Sequence, residues 1–208
     1  MVRMDESTGV VDAVRAYYEG RLHEFGVVAR GVDWNSTESQ TRRFDELIPG
    51  EAIASTGSIL DYGCGYGALL PYLRSRGWNG RYCGYDVAPA MTSAARLLHQ
   101  DGAEFVDETP TGPFDRTVAS GLFNVRLHFD DALWHAYIVT ALDAMWERTS
   151  GVMAFNMLTS HSDPERQRKD LYYADPGRYI DLCVRRYSRH VRLHHGYELY
   201  EFTIQVET

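Results

Sequence analysis

The sequence predicts a single-domain α/β fold, in which two helices precede five parallel strands and a C-terminal antiparallel hairpin. Short apolar runs alternate with helix-length segments from residue 58 onward, a pattern typical of a parallel sheet with helices on both faces. A glycine-rich turn at residues 63–67 follows the first of these runs, where a strand would lead into a helix. The last two extended runs are joined by Gly196 and Tyr197, which predicts a hairpin at the sheet edge.

The first fifty residues predict two helices that cover the sheet. Residues 10–25 carry apolar side chains at helical spacing and form the first helix. Residues 37–48 form the second, which ends before Pro49 because proline cannot continue a helix. We expect residues 1–50 to act as a helical lid and cap, and residues 51–208 to form the core of the same domain.

The core is predicted as alternating strands and helices of ordinary length. Strands are predicted at residues 58–62, 81–86, 103–107, 114–120 and 151–158, with the hairpin strands at 190–195 and 198–206. Helices are predicted at residues 66–76, 89–100, 130–148 and 177–187. Open sheets of this kind bind ligands at the carboxyl ends of their strands, so the turn at residues 63–67 marks the expected site.

Composition and charge exclude several classes of partner. The net charge of −8 disfavours a nucleic-acid partner, and no apolar run approaches the ~20 residues of a membrane span. The first ten residues lack the apolar core of a signal peptide, which predicts a cytoplasmic location. Three scattered cysteines provide neither a disulfide framework nor a metal site. We therefore expect a small-molecule partner and no metal, with the oligomeric state open.

The glycine-rich turn and two nearby acids leave two candidate ligands. Gly63, Gly65 and Ala68 fit the loose dinucleotide pattern, and Asp86 follows roughly 20 residues later, where a ribose-binding acid belongs. A pyrophosphate at this turn would lie beside Asp61 without an intervening cation, and like charges repel. S-adenosylmethionine carries a sulfonium and an amino group but no phosphate, so a carboxylate beside it is favourable. The residues therefore favour S-adenosylmethionine.

The motif Asp61-x-Gly63-x-Gly65-x-Gly67, with Asp86 ending the second strand, resembles the Rossmann-like class I S-adenosylmethionine-dependent methyltransferases. The resemblance covers nearly the whole chain, including the closing hairpin. It implies that the glycine turn holds the cofactor, that Asp86 binds both ribose hydroxyls, and that the product is S-adenosylhomocysteine.

The resemblance implies further cofactor contacts beyond the turn. An acid after the third strand often receives the adenine amino group, which corresponds to Asp107 or its neighbour Glu108. An ordinary role in the loop is the alternative for Asp107. Ser120, at the end of the fourth strand, completes the expected cofactor set.

The segment WNSTESQTRRF, which follows the first predicted helix, is a second candidate cofactor region. It resembles a W-x-S-x-x-x-Q-x-x-R-F segment of small bacterial methyltransferases, which implies cofactor contacts for Trp34, Gln40 and Arg43. Gln40 and Arg43 share a helix face, and an arginine there would bind the methionine carboxylate through two hydrogen bonds. Capping boxes that begin at Asn35 and Thr37 are the alternative explanation of the polar residues.

A basic segment after the fifth strand predicts a site for an anionic substrate. Residues 161–195 contain eight Arg or Lys against five Asp or Glu, in a chain that is acidic overall. Arg168, Lys169 and Tyr172 are the candidate anion contacts, and a solvated helix face is the alternative explanation. The segment and the leading helix are similar to phosphonate O-methyltransferases of antibiotic biosynthesis, which implies that Tyr18 lies near the acceptor and that Lys169 pairs with the anion.

The methyl acceptor decides whether a base is needed. Methyl transfer is an in-line displacement, and a neutral hydroxyl needs a general base whereas an ionised acid needs none. His128 is the candidate base, with a structural role as the alternative, and Arg21 and Asn124 are candidate substrate contacts. The Asn/Asp-Pro-Pro-aromatic signature of many nucleic-acid and amide N-methyltransferases is missing from SGLFNVRLHF, which counts against base methylation.

The leading hypothesis is an enzyme that methylates an oxygen of a small anionic metabolite such as a phosphonate. Methylation of a sugar or natural-product hydroxyl is the first alternative. A non-catalytic module that senses S-adenosylmethionine and a nicotinamide-dependent oxidoreductase are alternatives of other classes.

Overall fold

Two helices precede the sheet. The structure, a computed structural model, describes residues 4–33, 36–50, 57–100 and 102–208. Helix α1 (Met4–Phe25) and helix α2 (Thr37–Leu47) are separated by a short 3-10 helix at Ala29–Val32. The Ser36 hydroxyl caps α2 by accepting a hydrogen bond from the Ser39 N–H at 3.1 Å. The two predicted helices are therefore present, and Ser36 supplies the cap.

A seven-stranded sheet forms the centre of the described chain. Its strands are β1 (Ile59–Tyr62), β2 (Tyr82–Tyr85), β3 (Glu104–Val106), β4 (Phe114–Ala119), β5 (Thr149–Leu158), β6 (Val191–His194) and β7 (Glu201–Glu207). The connecting helices are α3 (Leu69–Ser75), α4 (Pro89–Leu98), α5 (Asp131–Trp146) and α6 (Pro176–Arg186). The strand order is β3-β2-β1-β4-β5-β7-β6, with β1 to β5 parallel and β7 antiparallel to β5 and β6. The predicted fold is confirmed.

The glycine-rich turn displaces the start of helix α3. The helix begins at Leu69 rather than at the predicted Tyr66. Gly63, Gly65 and Gly67 all have positive φ angles, which a right-handed helix does not accommodate. The turn therefore extends through residue 68 and holds open a concave surface at the end of β1.

Apolar side chains fill both faces of the sheet. Helices α5 and α6 and the start of α1 cover one face through large residues such as Trp134 and Tyr179. Helices α2, α3 and α4 cover the other through residues such as Leu47, Leu70 and Ala95. Burying one large apolar side chain contributes about 1.5–3 kcal/mol, so these layers fix the sheet that carries the site. Within the described part of the chain, no helix is long and apolar enough to span a bilayer.

Helix α1 lies over the carboxyl ends of the parallel strands. It contacts both α4 and α5, and its Val10 and Val14 side chains are buried. The Arg15 Nε donates a hydrogen bond to the Val87 carbonyl oxygen, just after β2, at 2.9 Å. The helix therefore occupies the position of a lid over the expected ligand site.

Candidate active site

The glycine turn is shaped so that side chains cannot be accommodated. Gly63 and Gly65 have φ angles of +82° and +54°. A Cβ atom on Gly63 would lie 2.8 Å from the Leu122 Cδ1, and one on Gly65 would lie 2.9 Å from the Val32 Cγ1. The N–H of Gly63 donates a hydrogen bond to the Tyr85 carbonyl oxygen at 2.7 Å, which ties the turn to β2. The bare backbone is thus required both by conformation and by space.

Two buried carboxyl groups lie beside the turn. Asp86 accepts hydrogen bonds from the N–H groups of Gly65 at 2.8 Å and Ala88 at 2.9 Å, yet desolvation raises its pKa to about 6. Asp61 accepts a hydrogen bond from the Tyr82 hydroxyl at 2.6 Å. Desolvation and, to a lesser extent, the nearby charge of Asp86 raise the Asp61 pKa to about 7, against the lowering effect of the Tyr82 hydrogen bond. The two groups therefore share a site in which negative charge is insufficiently compensated.

A cavity of about 310 Å³ extends from this turn. Among the described residues that line it, the charged side chains are Asp61 and Asp86, and none is a cation. The Ser120 hydroxyl also lines it, is buried, and finds no hydrogen-bond partner in the described chain. Aromatic walls are provided by Tyr18, Tyr62, Tyr66, Tyr85, Tyr137 and Phe44. The cavity thus suits a ligand with positive charge, hydrogen-bonding groups and an apolar surface.

Most of the residues predicted to contact a cofactor meet at this cavity. Those that line it are Gln40, Asp61, Gly63, Gly65, Asp86 and Ser120. Asp107 and Glu108 are exposed, and the Asp107 carboxylate lies 4.0 Å from the Arg96 guanidinium, whereas the next residue, Thr109, lines the cavity. Trp34 lies outside the described residues. The cofactor roles of these residues stay predictions.

Arg43 points away from the cavity. Its Nε lies 2.9 Å from both carboxylate oxygens of Glu201, and its Nη2 lies 2.5 Å from one of them. Its Nη1 donates to the Ser39 carbonyl oxygen at 2.7 Å. The guanidinium predicted to bind a methionine carboxylate is therefore directed at a carboxylate of the protein itself.

Tyr18 on α1 is the acceptor candidate that the structure places in the cavity. Burial raises its pKa well above the ordinary value, with Asp33 as the next cause. The side chain is therefore a neutral phenol at physiological pH, able to donate a hydrogen bond. Tyr17 packs edge-on against it, with ring centroids 5.2 Å apart.

A second cavity of about 310 Å³ is lined by the basic residues that were predicted to contact an anionic substrate. It is lined by Arg126, Asp131, Gln167, Arg168, Lys169, Leu171, Tyr172 and Tyr173. The Arg168 guanidinium lies 4.0 Å from Asp33, which follows Val32 in the wall of the first cavity. The predicted group of Arg168, Lys169 and Tyr172 is thus brought together, beside the first cavity and not within it.

Three candidates lie outside both cavities. Arg21 binds the Asp33 carboxylate and the Arg30 carbonyl oxygen, both at 3.0 Å. Asn124 is buried, and its Oδ1 accepts a hydrogen bond from the Leu158 N–H at 3.1 Å, so it ties the loop after β4 to β5. His128 is exposed and stacks on Phe129. The roles predicted for these three residues stay predictions.

Sequence reasoning missed several cavity residues. Tyr62 and Tyr85 end β1 and β2 directly before Gly63 and Asp86, so their position beside the motif was a usable signal. Arg126, whose Nε is buried without a hydrogen-bond partner in the described chain, carried no comparable signal.

Comparison with known proteins assigns the family. A family described as "Methyltransferase domain" matches residues 37–201. The Mycobacterium tuberculosis protein Rv1506c, whose name places it among methyltransferases, is 50% identical over 153 residues, covering 72% of this chain and 92% of the relative.

Solved structures agree on the fold. A DhpI complex with SAH has a TM-score of 0.65 at 16% identity, over 95% of this chain and 96% of that one. The 1,6-didemethyltoxoflavin-N1-methyltransferase of Burkholderia thailandensis has a TM-score of 0.65 at 14% identity, over 100% of this chain and 91% of that one. In both comparisons the similarity extends over nearly the whole of each chain. The chain therefore belongs to the methyltransferase domain family and has the class I methyltransferase fold.

Proposed function

We propose that the first cavity binds S-adenosylmethionine and that the protein transfers a methyl group to an oxygen of a small anionic acceptor. The observation that carries the cofactor assignment is the pair of buried carboxyl groups, Asp61 and Asp86, in a cavity whose described lining holds no cation. A ligand with a sulfonium and an ammonium group brings positive charge to this acidic site, whereas a pyrophosphate would add negative charge to it. Solved relatives that carry SAH or SAM support the same assignment.

The residues at the turn fit such a cofactor. Asp86 already accepts two backbone hydrogen bonds and retains acceptor capacity for ribose hydroxyls. Gly63 and Gly65 allow the backbone to approach the ligand, and the unpartnered Ser120 hydroxyl offers a further polar contact. When bound, the cofactor supplies an electrophilic methyl group. The lid residue Tyr18 closes the cavity and excludes water from the reacting atoms.

The basic lining of the second cavity supports the proposal that the acceptor is an anion. Arg126, Arg168 and Lys169 line it against a single acid, Asp131, although Arg168 also pairs with Asp170. Lys169 is exposed, and no ion pair forms on its ammonium among the described residues. Its charge is therefore available for a phosphonate or carboxylate whose oxygen faces the first cavity.

A panel of acceptors tests the proposal. Phosphonates, carboxylates and neutral sugars are incubated with the enzyme and S-adenosylmethionine, and methylated products are measured.

Lys169→Ala should raise the KM for an anionic acceptor about tenfold while leaving the affinity for S-adenosylhomocysteine unchanged. Arg185→Ala is the control, because Arg185 is exposed and its ion pair, with Asp181 on α6 at 3.5 Å, lies outside both cavities. Loss of cofactor affinity in Lys169→Ala would contradict the role given to Lys169.

A neutral hydroxyl is the second candidate acceptor. The first cavity favours it, because much of its wall is aromatic or aliphatic, including Tyr62, Tyr137, Ala141 and Ala144. Apolar walls of this kind suit a natural-product or sugar acceptor with a hydrophobic face. Turnover of neutral hydroxyls alone in the same panel would select this candidate and reject the anionic one.

A further inference from the structure

A line of buried polar groups runs from helix α2 to the wall of the first cavity. Arg43 binds the Glu201 carboxylate, with its Nη2 2.5 Å from Oε1. The other Glu201 oxygen accepts a hydrogen bond from the Asn156 Nδ2 at 2.6 Å. The Asn156 Oδ1 then accepts a hydrogen bond from the Gly121 N–H at 2.7 Å. Three elements distant in sequence are thereby connected to one backbone N–H.

The chemistry of the groups fixes the direction of every bond. A carboxylate is only an acceptor, so the Asn156 amide must turn its NH₂ toward Glu201 and its oxygen toward Gly121. Arg43 supplies the compensating positive charge on the other side of the Glu201 carboxylate. Glu201 and Asn156 are both 0% exposed, so water cannot replace these bonds. The orientation of the amide is therefore dictated by the ion pair.

Gly121, the last residue of this hydrogen-bonded line, lies in the wall of the first cavity. Gly121 has a φ of +68° and lines the cavity together with its neighbours Ser120 and Leu122. Leu122 packs against Gly63, because its Cδ1 lies 2.8 Å from the place a Cβ on Gly63 would occupy. Fixing the Gly121 N–H therefore fixes the surface that faces the glycine turn.

We propose that Arg43, Glu201 and Asn156 are positioning residues that set the Ser120–Leu122 turn and, through it, the affinity of the cavity for its nucleoside ligand. The inference rests on the proposed function for the identity of that ligand. It assigns Arg43 an indirect role in place of the direct carboxylate contact that the sequence predicts. An ion pair that only held α2 on β7 would stabilise the fold without affecting the cavity.

Exchanging the acid and the amide tests the line of contacts. Asn156→Asp places two buried carboxylates together, and Glu201→Gln leaves Arg43 without its counter-charge. Each should weaken binding of S-adenosylhomocysteine, measured by calorimetry, by about tenfold. The double variant N156D/E201Q restores one acid and one amide: the new amide NH₂ donates to the new carboxylate, and the amide oxygen accepts from the Arg43 Nη2. It should recover affinity to within about threefold of the wild type.

A second measurement reports on the turn itself. In protein labelled with 15N-glycine, the Gly121 amide resonance should shift in both single variants and return toward its original position in the double variant. Arg42→Ala is the control: Arg42 is the neighbouring residue on α2 and pairs with Glu198 at 3.4 Å, but the contact is exposed. Neither readout should change in that variant.

The outcomes separate the two proposals. Single variants that bind S-adenosylhomocysteine as the wild type does, with an unshifted Gly121 amide, would overturn the positioning role. A wild-type protein that fails to bind the ligand would instead overturn the proposed function. If the acid and amide variants are too unstable to titrate, Arg43→Lys, which keeps the charge and loses the paired hydrogen bonds, gives the same two readouts and the same decision.

Discussion

At the residue scale, Asp61 lowers the stability of the ligand-free protein in a position where its charge would favour binding of a cation. Its carboxyl group is buried beside Asp86, and its hydrogen bond from Tyr82 does not offset the loss of water. A carboxyl in this position resists ionisation, as its raised pKa of about 7 indicates. The residue is therefore unfavourable in the empty cavity and becomes favourable only when a cation lies against it.

Asp61→Asn should make the ligand-free protein more stable at alkaline pH. Between an ordinary pKa of 3.8 and the folded value of about 7, the folded state retains a proton that the unfolded chain has released. The contribution of Asp61 to stability therefore falls as pH rises through that window, and asparagine has no such loss. The melting temperature of the variant should exceed that of the wild type at about pH 8, by less at about pH 5, and should match it only below about pH 3.8, where Asp61 is protonated in both states. The same variant should bind S-adenosylmethionine more weakly; a variant less stable than the wild type at both pH values would contradict the argument.

At the scale of elements, one carboxylate joins the lid to the rest of the site. Asp33, in the left-handed conformation after the 3-10 helix, accepts from Arg21 at 3.0 Å and lies 4.0 Å from Arg168. Burial raises the pKa of Tyr17, and the Asp33 carboxylate beside it adds to the effect. Asp33 therefore connects helix α1, through Arg21, with the second cavity, through Arg168.

Asp33→Ala should loosen the C-terminal half of helix α1. Arg21 would lose the nearer of its two counter-charges, leaving Glu24 at 4.0 Å, while its Nε already has no partner in the described chain. We expect amide hydrogen exchange over residues 15–25 to accelerate about tenfold, and S-adenosylhomocysteine to dissociate faster. Asp12→Ala serves as the matched control, because the Asp12–Arg15 pair on the same helix is exposed and contributes little. Unchanged exchange over these residues would show that α1 is held by its apolar contacts alone.

At the scale of the whole molecule, the features set by neighbouring residues could be predicted from the sequence, whereas contacts between distant segments could not. The strands, the hairpin and the Asp86 turn follow from hydrophobic period and glycine chemistry, which act over a few neighbouring residues. The partner of Arg43 lies 158 positions away, on the last strand, and no local pattern relates the two. Likewise, the basic segment predicted an anion site, but its placement in a separate cavity depends on how the loop after β5 packs. Contacts between distant segments are set by the assembled sheet, so the sequence alone could not supply them.

The assembled site should couple ligand binding to proton release. Two carboxyl groups with pKa values of about 7 and about 6 face one cavity, so both are partly protonated at slightly acidic pH. A cationic ligand stabilises their ionised forms and lowers both pKa values, so S-adenosylmethionine should displace up to about 1.4 protons at pH 6, most of them from Asp61. Calorimetric heats of binding should therefore differ between buffers of low and high ionisation enthalpy near pH 6. They should converge near about pH 8.5, where both groups are already ionised.

Comparison of ligands and variants identifies the source of those protons. S-adenosylhomocysteine retains the ammonium but lacks the sulfonium, so it should release fewer protons than S-adenosylmethionine does. Asp61→Asn removes one of the two titrating groups and should reduce the release for both ligands. Heats that are identical in all buffers at every pH would mean that the cation does not lie against these carboxylates, and the charge argument for the cofactor would fail even if the ligand bound.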